Sequence, residues 1–439
     1  MNRNIDQELL KWRDDNEHKP LILRGARQTG KTYTARTLGR SFRNCAEINF
    51  EEKPAAGVFF AGELTAQNIC EKLAAFCGVP IRPGETLLFL DEIQACPNAL
   101  AALRFFHEQM PGLHVVAAGS LLEFALQETP SLGVGRITSR FMYPLTFTEF
   151  LDAVGDGALL PVIDAADFSH PVDAPFHQRL CERLRIYLLL GGMPEVVRTY
   201  AETHDIARCQ RIIDDLLVAF HDDFGKYRRR VPAARLNEVF RSVAAQTGTK
   251  FFCSSANREL KSTAVLNALA LLVKAGLALQ ICHSSGRGLP LGAQQQSRKF
   301  KAMLCDIGLH QCLLGLDVPA HLTANEIALV NGGSVAELFV GLHLAAHAPA
   351  HRRPELFYWH REARGANAEV DYLIQRSDTV CPVEVKAGTR GGMKSLRLFM
   401  KERSLTCGFR VAMENFARVD DVRILPLYAV HRLYEPRFC

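Results

Sequence analysis

The chain has 439 residues, which is enough for roughly two to three domains of ordinary size. Hydrophobic residues make up 48% of it and charged residues 23%, a globular composition that excludes extended disorder. The net charge of +5 permits nucleic-acid contact through local patches but does not by itself indicate it.

Cysteine spacing and hydropathy bear on the compartment. The 13 cysteines show no CxxC spacing, so they indicate reduced thiols and not a disulfide framework or a zinc site. The polar segment 1–20 contains no secretory hydrophobic region, and no apolar run reaches the about 20 residues that span a bilayer. We therefore expect a cytoplasmic protein without a membrane partner.

The first predicted strand, residues 21–24, leads into a phosphate-binding loop. Glycines in such a loop let backbone N–H groups surround phosphates at a helix N-terminus. We expect Lys31 to reach the β- and γ-phosphates and the Thr32 hydroxyl to ligate Mg²⁺. The GxxxxGK[ST] motif that carries this prediction consists of Gly25, Ala26, Arg27, Gln28, Thr29, Gly30, Lys31 and Thr32.

Two acidic residues follow the next buried strand that the sequence predicts, residues 86–90. Because sites lie at the carboxyl ends of parallel strands, we expect Asp91 beside the phosphate-binding loop, holding Mg²⁺. Glu92 is placed to polarise the attacking water as general base. The alternative is that Glu92 is only a charge at the start of the next helix.

A third apolar run, residues 113–118, ends at Gly119 and Ser120. Ser120 is either a sensor that touches the γ-phosphate or the water, or the cap of the next helix with Glu123 at the capping-box position. Arg136 follows a glycine-containing stretch. An arginine on such a loop neutralises transition-state charge, in cis or from a neighbouring subunit, or is simply a solvated surface residue.

The middle of the chain is predicted to be helical. Segment 221–230 is its densest charge cluster, which either grips a nucleic-acid backbone or forms a solvated helix end. Two short helices, a third helix and a strand between 236 and 282 give a winged-helix outline. The third helix, 261–275, carries few charges, which favours packing over reading DNA.

A second acidic constellation lies near the end of the chain. Strand alternation puts Glu384 and Lys386 on one face, with Asp371 on the adjacent strand and Glu337 on a preceding helix. Carboxylates around Mg²⁺ with a nearby lysine form the arrangement that phosphodiester hydrolysis needs. The spacing resembles the core of PD-(D/E)xK nucleases, but both cleavage and mere binding remain open.

Taken in order, these motifs resemble prokaryotic AAA-type ATPases fused to a C-terminal domain of unknown function. Further landmarks of that group are 143–145, 191–195, 305–309 and 335–337. The resemblance implies ATP as the nucleotide and gives Arg136 a regular place as arginine finger or sensor. It also implies an α/β architecture, in the order P-loop NTPase parallel sheet (1–155), helical lid and linker (156–235), winged helix (236–290) and nuclease-like α/β domain (291–439).

Two functions are consistent with this organisation. The first is an ATPase that hydrolyses ATP with Mg²⁺ and couples it to a nuclease-like domain acting on or binding DNA or RNA. The alternative is an ATP-dependent switch whose C-terminal domain is a non-cleaving module that binds protein or nucleic acid. An arginine finger acting in trans requires a homo-oligomer. The protein partner is unknown.

Overall fold

The fold is that of a computed structural model of the chain. The structure describes residues 1–62, 65–120, 122–128, 135–227, 230–322, 332–361, 367–376, 378–388, 392–435 and 438. Residues 228 and 229 of the charge cluster predicted at 221–230 lie outside the described residues.

A parallel sheet forms the N-terminal domain, with the strand order β2-β3-β4-β1-β5. Its strands are β1 (Leu21–Arg24), β2 (Asn44–Asn49), β3 (Thr86–Asp91), β4 (His114–Ala118) and β5 (Thr138–Phe141). The helices of this domain are α1 (Asn4–Asp14), α2 (Lys31–Gly39), α3 (Ala66–Cys77), α4 (Pro97–Gln109) and α5 (Leu122–Glu128). Because the strands are parallel, the residues that follow β1, β3 and β4 meet at one edge of the sheet.

Helices dominate the next part of the chain. They are α6 (Phe147–Ala153), α7 (Leu160–Ala165), α8 (Ala174–Leu190), α9 (Pro194–Thr203), α10 (Ile206–Phe224), α11 (Ala233–Ala245), α12 (Cys253–Ala256) and α13 (Ser262–Lys274). A hairpin of β6 (Ala278–Ser284) and β7 (Gln295–Leu304) follows them. The winged helix predicted at 236–290 stays a prediction.

The C-terminal part is built on a mixed sheet with the strand order β12-β13-β11-β10-β9-β8-β6-β7. Its further strands are β8 (Leu356–Arg361), β9 (Ala368–Arg376), β10 (Thr379–Val385), β11 (Gly408–Ala412), β12 (Ala417–Val419) and β13 (Val422–Pro426). The accompanying helices are α14 (Ile307–Leu313), α15 (Val318–Leu322), α16 (Gly332–Ala346) and α17 (Lys394–Glu402). Strands β8, β9 and β10 form an antiparallel meander, and β11 returns parallel to β10 after α17.

The hairpin β6–β7 belongs to this second sheet, because β6 pairs in parallel with β8. The domain boundary predicted at residue 290 therefore falls inside one continuous sheet. The sequence could not indicate this join, since the strand pairing that makes it connects segments far apart in the chain.

Two glycine-containing landmarks meet in one buried junction. Gly192 N–H donates to Asp306 Oδ2 at 2.7 Å, and Leu145 N–H donates to the Gly192 carbonyl at 2.7 Å. A Cβ on Gly191, whose φ is +74°, would collide with the Asp306 carboxylate. Asp306 also caps α14 by accepting the Leu309 N–H at 3.0 Å. These landmarks therefore mark close packing between segments.

Two hydrogen bonds tie the N-terminal domain to the C-terminal part. Phe147 N–H at the start of α6 donates to His343 Nε2 on α16 at 2.8 Å. Phe141 N–H at the end of β5 donates to the Ala350 carbonyl at 2.8 Å. Burial holds the pKa of His343 well below its usual value, so its ring is neutral and can accept a hydrogen bond.

Candidate functional site

The loop between β1 and α2 has the conformation expected of a phosphate cradle. Gly30 precedes α2 with a φ of +91°, and Gly25 has a φ of +142° with the Met142 carbonyl where a Cβ would lie. Both positions thus require glycine. Helix α2 begins at Lys31, so the N–H groups of its first turn, which lack partners within the helix, face the loop.

Lys31 is folded back onto this loop. Its Nζ donates to the Ala26 carbonyl at 2.6 Å and to the Gly25 carbonyl at 3.1 Å. Burial lowers the pKa of Lys31 to about 8, although Glu92 and Asp91 favour the charged form. The ammonium is therefore held by neutral carbonyls at the place where the motif predicts phosphates.

Thr32 and Asp91 are brought together as the sequence predicts. Thr32 Oγ1 donates to Asp91 Oδ2 at 3.0 Å, which joins the first turn of α2 to the end of β3. Burial raises the pKa of Asp91, while the hydrogen bond from Thr32 favours its ionised form. A hydroxyl beside a carboxylate is a donor set that suits a hard cation such as Mg²⁺.

Glu92 lies beside Ser120 at the same edge of the sheet. Its Oε2 accepts Ser120 N–H and Ser120 Oγ at 3.1 Å each, and Gln94 Nε2 at 2.5 Å. Burial acts to raise the pKa of Glu92, but these hydrogen bonds outweigh it and hold the pKa below its usual value. The predicted base is thus an anion, held in a left-handed backbone conformation with a φ of +47°.

Glu123, the predicted capping-box partner of Ser120, has other partners. It pairs with Arg24, the last residue of β1, and lies 3.3 Å from Arg353 of the C-terminal part. The capping-box interpretation of Ser120 is therefore wrong as far as Glu123 is concerned. Ser120 instead donates to Glu92 with both its N–H and its hydroxyl, and the sensing role stays a prediction.

Arg136 does not meet the loop of its own chain. It pairs with Glu108 near the end of α4 and is about half exposed. It precedes β5, and Thr138 pairs with Leu21 at the start of β1, whereas the loop follows the end of β1. Arg136 therefore lies toward the sheet edge opposite the candidate site. An arginine finger acting in cis does not fit this position, and one acting in trans stays a prediction.

Two contacts of the loop were missed by sequence reasoning. Arg3 donates to the Thr29 carbonyl at 2.9 Å, to the Tyr143 carbonyl at 2.7 Å and to Glu149 Oε1 at 3.0 Å. Arg27 of the loop pairs with Asp223 at the end of α10. No motif marks Arg3, because two of its acceptors are backbone carbonyls, which every residue provides.

Part of the charge cluster at 221–230 is used inside the molecule. Asp223 forms an ion pair with Arg27, and its Oδ1 lies 2.9 Å from Lys226 Nζ. These charges therefore connect the loop with α10, and neither earlier interpretation foresaw this role. Contact between nucleic acid and the remaining described charges stays a prediction.

The second acidic constellation gathers around a lysine. Lys301 of β7 is fully buried, and its Nζ lies 2.7 Å from Glu337 Oε1, 2.5 Å from Glu369 Oε1 and 4.0 Å from Asp371 Oδ1. Burial disfavours its ammonium, but the attraction of these carboxylates outweighs burial and raises the pKa of Lys301 above its usual value. Sequence reasoning missed both Lys301 and Glu369.

Glu384 and Lys386 lie next to this group. Lys386 Nζ donates to Glu384 Oε1 at 2.7 Å, whereas Glu384 Oε2 is buried without a hydrogen-bond partner in the described structure. Asp371 Oδ2 accepts the Val385 N–H at 2.7 Å, which binds β9 to β10. Burial and the nearby Asp371 raise the pKa of Glu384.

The acidic constellation does not fit the predicted Mg²⁺ site formed by Glu337, Asp371 and Glu384. Among the described residues, no group of three or more histidine, cysteine, aspartate or glutamate side chains is arranged to hold a metal ion. The space between Glu337 and Asp371 is taken by the Lys301 ammonium. Glu337 and Asp371 come together around the Lys301 ammonium, whereas Glu384 pairs with Lys386.

Comparison with known proteins divides the chain into three parts. Residues 17–151 match the family model of an AAA domain. Residues 181–320 match a domain of unknown function (DUF8612), and residues 332–430 match another (DUF4143). No curated protein matches the chain.

Solved structures show distant likeness. A Walker-type ATPase of Pyrococcus abyssi is 16% identical over 71% of this chain and 95% of its own, with a TM-score of 0.46. The ORC1 protein of Aeropyrum pernix in complex with DNA is 15% identical over 73% of this chain and 95% of its own, with a TM-score of 0.28. At these values neither contributes to the assignment.

The family match and the loop geometry agree. Residues 17–151 match an AAA domain, and the structure gives this part of the chain a P-loop and a parallel sheet with Thr32 and Asp91 in contact at its carboxyl edge. None of the described helices is long and apolar enough to cross a membrane.

Proposed function

We propose that the protein hydrolyses ATP with Mg²⁺ at the site formed by Lys31, Thr32, Asp91 and Glu92, and that this reaction sets the state of the C-terminal part. The observation that carries the proposal is the contact of Thr32 Oγ1 with Asp91 Oδ2 at 3.0 Å. It lies beside a P-loop whose lysine, within the described part of the chain, donates to the Gly25 and Ala26 carbonyls.

Each residue has a task that follows from its surroundings. Lys31 exchanges its two carbonyl acceptors for phosphate oxygens, which are stronger partners for an ammonium. Thr32 and Asp91 would hold Mg²⁺, which neutralises charge developing on the phosphates when bound. Glu92 is already ionised, so it can accept a proton from water. Ser120 holds the Glu92 carboxylate, so a phosphate that draws Ser120 away also releases Glu92.

The P-loop has a direct mechanical link to the C-terminal part. Arg3 joins the Thr29 carbonyl to Glu149 on α6, and the first N–H of the same helix, from Phe147, donates to His343 on α16. Helix α16 also carries Glu337 of the acidic constellation. A movement of the P-loop on nucleotide binding is therefore expected to reach α16 through these three buried hydrogen bonds.

The test of the proposed function is a hydrolysis assay with three variants. Glu92→Gln is expected to lower ATP turnover by about 10²–10⁴-fold while ATP still binds, because only the base is lost. Lys31→Ala is expected to abolish binding. Glu71→Gln removes a carboxylate from the exposed face of α3 and is the matched control. It should leave ATP turnover and ATP binding unchanged. Full turnover in the Glu92→Gln variant would overturn the proposed role of Glu92.

The C-terminal domain supports two further candidate functions. The elements follow the order α16, β8, β9, β10, α17 and β11, with Asp371 on β9, Glu384 on β10 and Lys386 directly after β10. This arrangement supports a nuclease-like domain that acts on nucleic acid. The Lys301 ammonium among the acids supports the alternative, a switch whose C-terminal domain binds without cutting. The structure favours the alternative, because the residues present do not fit Mg²⁺.

A cleavage assay separates the two candidates. Purified protein is incubated with single- and double-stranded DNA and RNA and with Mg²⁺ or Mn²⁺, in the presence and absence of ATP. Cleavage that disappears in an Asp371→Asn variant would establish the nuclease. Retention of these nucleic acids on a filter without cleavage would establish a non-cleaving nucleic-acid binder.

A homo-oligomer is part of the proposal because of Arg136. The residue lies away from the P-loop of its own chain, so a role at the γ-phosphate requires the site of a neighbouring copy. The mixing of chains carrying Arg136→Ala with chains carrying Lys31→Ala tests this. Partial recovery of turnover is expected if the finger acts in trans.

A further inference from the structure

Lys301 connects two parts of the chain that match different families. The lysine lies on β7, within residues 181–320, whereas Glu337, Glu369 and Asp371 lie within residues 332–430. The acidic constellation is therefore completed by a residue from outside the family match that contains its carboxylates. The contact is fully buried on the lysine side.

The lysine has the surroundings of a bound cation. Two carboxylate oxygens lie 2.7 and 2.5 Å from Nζ, a third lies at 4.0 Å, and the Tyr358 ring centre lies 5.2 Å away. Carboxylates and the face of an aromatic ring both attract an ammonium. Each contact thus favours the charge that burial alone would disfavour.

A divalent cation cannot share this space. Mg²⁺ sits about 2.0–2.1 Å from its oxygen ligands, so it would need the oxygens that Lys301 already binds. Two cations at such distances also repel each other strongly in a buried site. Metal binding by Glu337 and Asp371 therefore requires that Lys301 first leave.

The sheet holds Lys301 in place. Residue 301 pairs with Ile281 of β6 on one side and forms a bridge with Lys250 on the other. The turn before Lys250 also lies close to the cluster, since a Cβ on Gly248 would lie 2.9 Å from Ser334 Oγ and 3.2 Å from Glu337 Oε2. These pairings fix the backbone from which the Lys301 side chain reaches the carboxylates.

We propose that Lys301 is the resident counter-ion of this acidic cluster and keeps divalent metal out of it, so that the C-terminal domain does not cut phosphodiesters while β7 stays in the sheet. The inference rests on the nuclease-like interpretation of the C-terminal domain and is independent of the proposed ATPase activity. In chemical terms, the Lys301 ammonium takes the place of the divalent metal ion.

Binding of Mn²⁺ to the nucleotide-free full chain, followed by electron paramagnetic resonance, tests the proposal. Lys301→Met is expected to bind one more Mn²⁺ per chain than the natural protein. Adding Asp371→Asn to that variant should remove the extra ion. Arg298→Met, which removes an exposed cation from the same strand, is the matched control and should bind as the natural protein does.

Two results would overturn the proposal. The first is Mn²⁺ binding by the natural protein that Asp371→Asn abolishes, because the site would then take metal with Lys301 in place. The second is a folded Lys301→Met variant that binds no additional Mn²⁺. Should this variant not fold, the comparison of the natural protein with Asp371→Asn still decides, since equal Mn²⁺ binding is expected. ATP turnover measured on every variant reports separately on the ATPase.

Discussion

ATP binding is expected to weaken as the pH rises from 7 to 9, because Lys31 loses its proton in the free protein over this interval. Its ammonium is buried and donates to the Gly25 and Ala26 carbonyls, and burial lowers its pKa to about 8 although Glu92 and Asp91 favour the charged form. Bound phosphates add further negative charge, so they raise the pKa of Lys31. Affinity is thus nearly full at pH 7, falls to about half at pH 8 and declines further above it.

The size of the effect follows from the charged fraction of Lys31. With a pKa of about 8, roughly nine tenths of the free protein carries the charge at pH 7 and about one tenth at pH 9. The Kd for ATP should therefore rise about tenfold, or about 1.4 kcal/mol. The same burial destabilises the free protein below pH 8, so Lys31→Met is expected to raise its unfolding free energy by up to about 3 kcal/mol at pH 7.

Isothermal titration calorimetry at constant ionic strength measures this dependence, with Lys31→Arg as the control. The guanidinium stays charged at pH 9, so the tenfold step should vanish in that variant, while changes in ATP itself remain. A Kd for the natural protein that is flat from pH 7 to 9 would refute the reasoning. So would an equal loss in the Lys31→Arg variant.

Three further changes have expected outcomes. Gly276→Ala places a Cβ 2.9 Å from Ala26 N at a φ of +76°. Chemical denaturation should therefore show a loss of about 1–3 kcal/mol in unfolding free energy, and calorimetry should show a weaker affinity for ATP. Unchanged values would contradict the contact. His343→Leu leaves the buried Phe147 N–H without its acceptor, and a loss of stability well below about 1 kcal/mol would argue against that hydrogen bond. Arg136→Ala should lower ATP turnover by about 10³-fold or more. In the natural protein, turnover per chain should rise with protein concentration. A turnover that does not depend on concentration would contradict an action in trans.

The N-terminal site could be predicted because its signals are local. Strand β3 is buried along its whole length and ends at Asp91, so a run of apolar residues followed by an acid was sufficient to place it. The P-loop needs glycine at Gly25 and Gly30 for conformational reasons that the sequence displays directly. Parallel strands then bring Asp91 and Thr32 together without any further information.

The acidic constellation could be predicted only in part, because its decisive residue comes from a distant strand. Alternation along β9 and β10 correctly brings Asp371 and Glu384 to one region. It cannot place Lys301, since the join of β6 to β8 is a tertiary pairing that leaves no local signal. Residues 295–298 of β7 are exposed and polar, so the strand gives little hint that Lys301 is buried.

The two buried lysines show how one physical problem has opposite solutions in the two sites. Burial penalises both ammonium groups. Lys31 donates to neutral carbonyls, and burial outweighs the attraction of Glu92 and Asp91, so its pKa falls and its charge becomes favourable when phosphates bind. Lys301 already has carboxylates, so its pKa rises and a second cation finds no place. By this comparison the P-loop is suited to bind an anion, whereas the cation of the C-terminal cluster is the side chain of Lys301.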